Sequence, residues 1–434
     1  MNTRSMPQTE SVVGAAGERA SAHAKVTLVA YEGIANNDVV KGQVLGLGAC
    51  LNSLDVDAEA IIFERADRLG VGRTTLGVLR EADARFRYPV SLLPRLPGRF
   101  GPSAAGWVLG NRLDPGPRVL HCRGAKSSYL AHIATSGSSN YPILADFRGA
   151  EPEEELDLQL RGNGEDRRMV AARRVADLER IESAAVAGAK GICCVSAALA
   201  DHLSEKHLIP RAKIDVVHCG ADPSFEFNSE LRRRVRGELH LNGELVLCHL
   251  GGLGSVHRPD RVVSFISALH KIGADVALLL LSRDLDAMEL VKAQLPSSVR
   301  VFAKSAEAAQ IPGYLCAADA GLLMLDEALR NAVSFPVKFS EYSCCGLPVI
   351  ATGASRDPAR YIEASGFGMI VDEAEQLGWR ATVPAESLTQ GIERLRKVSS
   401  SQREAQSTAA AEIMRFDHTA STLRDIYSIL LEDA

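Results

Sequence analysis

Ser334-Phe335-Pro336-Val337-Lys338-Phe339-Ser340-Glu341-Tyr342-Ser343-Cys344-Cys345-Gly346-Leu347-Pro348-Val349-Ile350 is the stretch on which the reading of this 434-residue chain turns. Pro336 suits a helix start, Gly346 suits a left-handed helix end, and Leu347 to Ile350 then reads as a strand. On a helix from Pro336 to Cys345, Lys338 and Glu341 are three apart and share a face. A cation near a helix N-terminus can hold phosphate, while a carboxylate one turn on accepts two ribose hydroxyls. Taken alone, the same pair also reads as a surface ion pair.

Outward from this stretch, short apolar runs alternate with longer amphipathic segments, the pattern of parallel sheets covered by helices. One series holds the runs Val26 to Tyr31, Ala60 to Phe63, Val119 to Cys122, Pro142 to Asp146, Ile192 to Val195 and Ile214 to His218. A second holds Leu245 to Leu250, Val276 to Leu281, Val299 to Phe302, Ala320 to Leu325, Leu347 to Ala351 and Gly368 to Val371. The expected architecture is α/β, with two Rossmann-like doubly wound domains facing a central cleft. Residues 25–222 form the first domain, the Arg- and Glu-rich 223–243 the linker, and 244–401 the second domain. Residues 402–434 form a helical segment that caps one half or crosses back to the first domain. Residues 1–24, polar and without the apolar core of a secretory signal, are expected to be a disordered tail.

Composition narrows the function. Basic residues number 49 and acidic residues 54, for a net charge of −5, and no basic block can follow a phosphodiester backbone. Nucleic acid is therefore not an expected partner. The apolar runs are far shorter than the ~20 residues of a membrane span. Nine scattered cysteines without zinc spacing read as reduced thiols of a cytoplasmic protein. Tyr88 to Gly110, with four prolines, Arg95, Arg99, Leu92, Leu93, Phe100 and Trp107, reads as an irregular patch. It is either a loop packed on its own domain or a peripheral contact with an anionic membrane face.

In α/β sheets ligands bind at the carboxyl ends of strands, so residues there are the site candidates. They are Glu32-Gly33, His121-Cys122-Arg123-Gly124 and Asp146-Phe147-Arg148-Gly149 in the first half. In the second half they are Gly251-Gly252-Leu253-Gly254 and Arg283, with Asp284 as the cap of the next helix. A histidine after a strand is also commonly a hydrogen-bonded structural residue. Asp55-Val56-Asp57 has the D-x-D form of a metal ligand set, but its place between a helix and a strand reads as a polar turn. No metalloprotease, Walker or G-x-S-x-G motif is present.

The opening stretch resembles the donor-binding segment of GT-B glycosyltransferases of the family 4 type, where a Glu-containing helix precedes Cys-Gly-x-Pro-Val-Ile. Two glutamates eight positions apart usually mark that site. Glu341 matches the second, whose implied role is to bind the donor's ribose, whereas the first falls on Val333. This sequence has instead Ser334-x-Pro336-x-Lys338. Gly252 and Gly254 match the loop that approaches the donor diphosphate, Arg258 stands near its basic phosphate ligand, and Asp319 sits at the helix-to-strand junction before the donor site. Asp146 and Arg148 resemble the Asp-x-Arg-Gly run of members that build polysaccharides.

The resemblance implies retaining, metal-independent transfer from a nucleotide diphosphate sugar, with no other cofactor, to a saccharide or lipid-linked acceptor. Polysaccharide or glycoconjugate assembly is the implied setting. Lys338 and Arg258 would stabilise the leaving diphosphate, and His121 would contact the sugar or the reacting hydroxyl. Glu32 and Gly33 follow the strand where related enzymes admit the acceptor or diphosphate. The alternatives are a sugar-nucleotide epimerase and a catalytically silent partner subunit, the latter suggested by Val333.

Overall fold

The computed structural model describes residues 24–98, 100–136, 138–160, 165–254, 258–371 and 385–432. The chain divides into two units, residues 1–220 with 416–434, and residues 221–415. The expected tail lies outside the described residues, apart from Ala24.

The first unit is built on the parallel strands β1 (Lys25–Ala30), β2 (Asp57–Arg65), β3 (Val90–Arg95), β4 (Val119–Arg123), β5 (Ile143–Phe147), β6 (Gly191–Cys194) and β7 (Ile214–Val216). Their order is β3-β2-β1-β4-β5-β6-β7, so the winding reverses between β1 and β4. β1 and β5 are buried almost throughout because helices cover both faces of the sheet. The helix Phe416–Glu432 returns to this unit and sinks Phe416, Leu423, Tyr427 and Leu430 into the core shared with β1 and the helix Leu47–Ser53.

The second unit repeats the plan with β8 (Leu245–Leu250), β9 (Val276–Leu281), β10 (Arg300–Lys304), β11 (Ala320–Leu323), β12 (Val349–Thr352) and β13 (Gly368–Val371). Their order is β10-β9-β8-β11-β12-β13, with the reversal between β8 and β11. β8 and β9 are buried along their whole length.

Three expectations change. Residues 223–243 are not a linker: they contain the helix Ser229–Glu238 and belong to the second unit. Arg233 and Arg234 are exposed, as a solvated segment would have them, but Arg232 and Arg236 turn inward to Asp319 and to backbone carbonyls. Arg232 donates through Nη1 to the carbonyls of Cys316, Ala317 and Ala318 at 2.9, 3.0 and 2.7 Å, satisfying the end of the helix Ile311–Ala317. The C-terminal segment is two helices, Ser400–Met414 in the second unit and Phe416–Glu432 in the first, broken where Arg415 turns extended. The irregular patch holds β3 and the helix Gly101–Gly110, with Leu92 and Leu93 buried. Pro94 hides that strand in the sequence, yet β3 lies at the sheet edge, where a missing N–H is tolerated.

Candidate functional site

At the carboxyl ends of β1, β4 and β5, around the reversal in the first sheet, lies a pocket of about 210 Å³ lined by Glu32, Arg123, Gly124, Phe147, Arg148, Gly149 and three further glutamates, Glu151, Glu154 and Glu182. Arg123, the last residue of β4, enters it with Nε and Nη1 buried and without a hydrogen-bond partner. Its Nε stands 3.6 Å from Glu32 Oε2. Burial lowers its pKa, and the neighbouring Arg148 lowers it further.

Asp146, 1% exposed, accepts from Arg148 Nε at 2.7 Å and lies 3.1 Å from His121 Nε2. Burial alone would raise its pKa, but the Arg148 guanidinium, His121 and Arg123 outweigh this and hold the carboxyl well below the usual carboxylate range. An ionised carboxylate only accepts, so His121 donates from Nε2. The other ring nitrogen, Nδ1, pairs with the Tyr427 hydroxyl 2.6 Å away. Both ring nitrogens of His121 are thus taken inside the protein, and the residue is 3% exposed. The expected contact of His121 with a sugar or hydroxyl is corrected to a structural one. His121, Asp146 and Cys193 approach as a metal set would, but the Asp146 charge is already met by Arg148.

Gly33 is fixed by a close approach: a Cβ there would stand 2.1 Å from Glu64 Oε1. Glu64, itself buried, accepts from the backbone N–H of Ala35 at 2.8 Å and so shapes the loop that carries Glu32. Asp55 occupies a left-handed turn just before β2.

In the second unit the donor-type helix runs from Val337 to Cys344. The Tyr342 hydroxyl accepts from Leu250 N–H at 2.9 Å and pins this helix to the end of β8. Gly321 on β11 makes room, since a Cβ there would lie 2.6 Å from the Tyr342 ring. Lys338 is thereby set beside Gly251, its Nζ 3.7 Å from where a Cβ of that glycine would be. Gly251 has φ of 102°, which the sharp turn off β8 requires. Lys338 and Glu341 are half-buried. Burial pulls Lys338 down to about 8 against the pull of Glu341, and pushes Glu341 up to about 7 against that of Lys338. No described ion pair or hydrogen bond closes between them, so the surface-pair reading is not what the structure holds.

The other expected donor ligands are differently placed. Arg258, at φ of 45°, precedes the helix Pro259–Lys271 and donates twice to Asp260, at 3.0 and 2.8 Å, with Asp326 at 3.8 Å. Its charge is already met. Ser334 Oγ donates to the Asn331 carbonyl at 2.9 Å rather than facing outward unpaired. The Gly252 carbonyl lies 3.1 Å from His249 Nε2, and a Cβ at Gly254 would meet nothing within 4 Å among the described residues. Arg283 is exposed after β9, and Asp284 caps the helix Leu285–Gln294 through Ala287 N–H. Val333 is a core residue at 1% exposure. Asp319 binds Arg236 at 3.2 Å and Val246 N–H at 2.8 Å, a structural post. Sequence reasoning missed Asp326, buried just past β11 and held by Arg330 at 2.7 Å.

Each unit thus has a sheet reversal with polar side chains gathered at the strand ends beside it, and comparison with known proteins assigns the fold. Residues 41–220 match the glycosyl transferase 4-like domain model. That stretch of the chain is therefore similar to a glycosyl transferase 4-like domain. A search of curated proteins finds no match. Among solved structures, a glycosyltransferase from Rickettsia africae has a TM-score of 0.64 at 16% identity, covering 95% of this chain and 100% of that one. Anabaena Alr3699/HepE in complex with UDP-glucose gives 0.66 at 15%, covering 94% and 100%. The catalytic domain of Arabidopsis thaliana starch synthase IV, bound to ADP and acarbose, gives 0.60 at 14%, covering 95% and 100%. At such identities the likeness establishes the GT-B fold.

Proposed function

We propose that this GT-B glycosyltransferase moves a sugar from a nucleotide diphosphate sugar to a hydroxyl of a saccharide or lipid-linked acceptor, with retention and without a required metal, in polysaccharide or glycoconjugate assembly. The observation that carries the reading is Lys338, a half-buried ammonium without a hydrogen-bond partner among the described residues, set beside Gly251 at the sheet reversal of the second unit. A leaving diphosphate gains negative charge as the glycosidic bond breaks, and a preorganised cation in a poorly solvated place stabilises that change. Glu341, one turn on, accepts the ribose hydroxyls as a carboxylate. Similar folds were solved with UDP, UDP-glucose and ADP, which makes UDP- and ADP-sugars the first donors to try.

The first unit's pocket takes the acceptor in this reading. Arg123 and the surrounding carboxylates offer both donors and acceptors to sugar hydroxyls, and Asp146 holds Arg148 in place. Retention and metal independence rest on the family resemblance together with the cation at Lys338. The deciding experiment incubates the protein with a panel of nucleotide sugars, with and without lipid-linked acceptors, and follows product by mass spectrometry. Acceptor-dependent sugar transfer supports the proposal. An altered nucleotide sugar without acceptor would make the protein an epimerase, and donor binding without turnover would make it a silent subunit, as the buried Val333 at the first glutamate position suggests.

A further inference from the structure

Two of the nine cysteines meet in the second unit, and neither takes part in the proposed transfer. Cys316 lies in the last turn of the helix Ile311–Ala317, and Cys345 is the residue at which the helix Val337–Cys344 ends. One guanidinium joins these two helix ends. Arg403 donates through Nη1 to the Cys316 carbonyl at 3.0 Å and through Nη2 to the Cys345 carbonyl at 3.2 Å. The side chains meet as well, the Cys345 thiol donating a hydrogen bond to Cys316 Sγ. Cys344, next in sequence, turns to another partner, its thiol donating to the Met414 carbonyl at 3.7 Å.

The surroundings of Cys316 give the two thiols different chemistry. Its sulfur accepts from the Asn228 backbone N–H at 3.4 Å, and as a neutral thiol it donates to the Glu226 carbonyl, also at 3.4 Å. Arg232 and Arg403 both donate to the Cys316 carbonyl, so two guanidiniums flank the residue. The hydrogen bond from Cys345 holds the Cys316 thiol below its ordinary value against burial, with help from the Asn228 N–H, Arg403 and Arg232. Burial pushes Cys345 up. A thiolate beside cations is the reactive form, and a neutral thiol in contact with it is placed to resolve what it forms. Both side chains are buried, yet Cys316 lies one layer deep, since Glu226 and Asn228 in the segment that touches its sulfur are exposed. An oxidant of two heavy atoms reaches it through a local opening of that segment.

We infer that Cys316 and Cys345 are a modification site, a thiol pair that hydrogen peroxide closes reversibly to a disulfide. The Cys316 thiolate attacks one peroxide oxygen and the O–O bond breaks. The departing hydroxide takes up the proton that the thiol had released and leaves as water, and Cys316 becomes a sulfenic acid. The Cys345 sulfur then attacks the Cys316 sulfur, the S–O bond breaks, and the hydroxide leaves as water with the Cys345 proton. Together the two sulfurs lose two electrons, the peroxide is reduced to two waters, and a dithiol reductant reverses the change. The bond fastens the end of the helix Ile311–Ala317 to the end of the helix that carries Lys338 and Glu341. The inference does not depend on the proposed transfer, because the bond is read by mass.

The test treats folded full-length protein with hydrogen peroxide, alkylates the remaining thiols in urea and digests with trypsin without reductant. Cleavage gives one peptide from Ser305 to Arg330, which holds Cys316, and another from Phe339 to Arg356, which holds Cys344 and Cys345. Expected is a linked pair lighter by two hydrogens than the two peptides together, joined at Cys345 in its fragment spectrum and lost on dithiothreitol, with the other cysteines alkylated. Cys344→Ser should keep the link. Cys345→Ser should lose it and leave on Cys316 a sulfenic acid that dimedone traps. No link in the folded parent after peroxide, a link at Cys344 instead, or a link that forms only when peroxide is added in urea would overturn the inference. So would a link between two chains, seen as a dimer on a non-reducing gel.

Discussion

Lys338→Met keeps an unbranched side chain of similar volume and removes the charge, so it separates what Lys338 does for stability from what it does for a ligand. Folding takes the ammonium from 10.5 to about 8 through burial. That is roughly 2.5 pH units, and at about 1.36 kcal/mol each the charged form is disfavoured by about 3 kcal/mol. The side chain is only half-buried, so solvent screening brings this down to about 1–2 kcal/mol. The sign follows from the direction of the change. Above 10.5 lysine is neutral folded and unfolded and there is no penalty; as pH falls from 10.5 through 8 the unfolded chain takes up the proton first, and the penalty becomes complete. The Met variant should therefore melt about 2–8 °C higher than the parent at pH 7, an advantage that shrinks as pH rises past 8. Glu341 loses its one opposing charge in that variant and is driven further toward its neutral form. UDP or ADP, which should stabilise the parent by about 2.7 kcal/mol at a hundredfold excess over Kd, should stabilise the variant much less. Differential scanning fluorimetry across pH, with and without nucleotide, reads all of this. A variant that melts lower at pH 7, or that keeps the whole nucleotide shift, would refute the reasoning.

Glu341→Gln should weaken UDP or ADP binding about 10- to 150-fold by calorimetric titration, the loss of a charge-assisted pair of hydrogen bonds. Because burial raises Glu341 to about 7, the parent should also lose stability as pH rises from about 4.5 to 7, and the Gln variant should lack that slope. Transfer activity should persist in excess EDTA; arrest by chelation with recovery on Mg²⁺ or Mn²⁺ would remove the diphosphate from Lys338's care. Tyr427→Phe leaves His121 Nδ1 buried without its 2.6 Å partner, so urea unfolding should show a loss of about 1–3 kcal/mol, and an unchanged midpoint would mean that the bond contributes nothing.

Much of the fold was legible because parallel strands buried on both faces must be continuous apolar runs; β8 and β9 fall on the residues their sequence suggests. β3 was illegible because proline argues against a strand unless edge position is known, and that is a property of the assembled sheet. Arg232 in 223–243 misled for a related reason: charge reads as solvent exposure, whereas this guanidinium pairs with Asp319 and donates to backbone carbonyls 84 to 86 positions away in sequence. Within the site, helical spacing put Lys338 and Glu341 on one face but fitted a surface ion pair as well, and the resemblance to the donor-binding segment was what singled them out. Asp326, Glu64 and Tyr427 were not readable, since each acts through partners that only the tertiary fold supplies.

His121 and Arg123 illustrate how the end of a strand sorts side chains of the same parity into different roles. Both project from one face of β4, two residues apart, and a parallel strand rises about 3.3 Å per residue. His121 therefore lies about 6.6 Å below the rim that Arg123 occupies. At that depth water is excluded, an imidazole must satisfy both nitrogens within the protein, and the returning helix supplies Tyr427 for one while Asp146 takes the other. At the rim the same strand can leave a guanidinium facing a pocket with Nε and Nη1 free of hydrogen bonds and only the Glu32 carboxylate nearby. A polar residue near a strand terminus is thus a ligand candidate only in the last position or beyond, and one placed two residues earlier belongs to the support of that ligand. By this rule the C-terminal helix participates in the site indirectly: Tyr427 holds His121, His121 and Arg148 share Asp146, and Arg148 reaches the pocket wall.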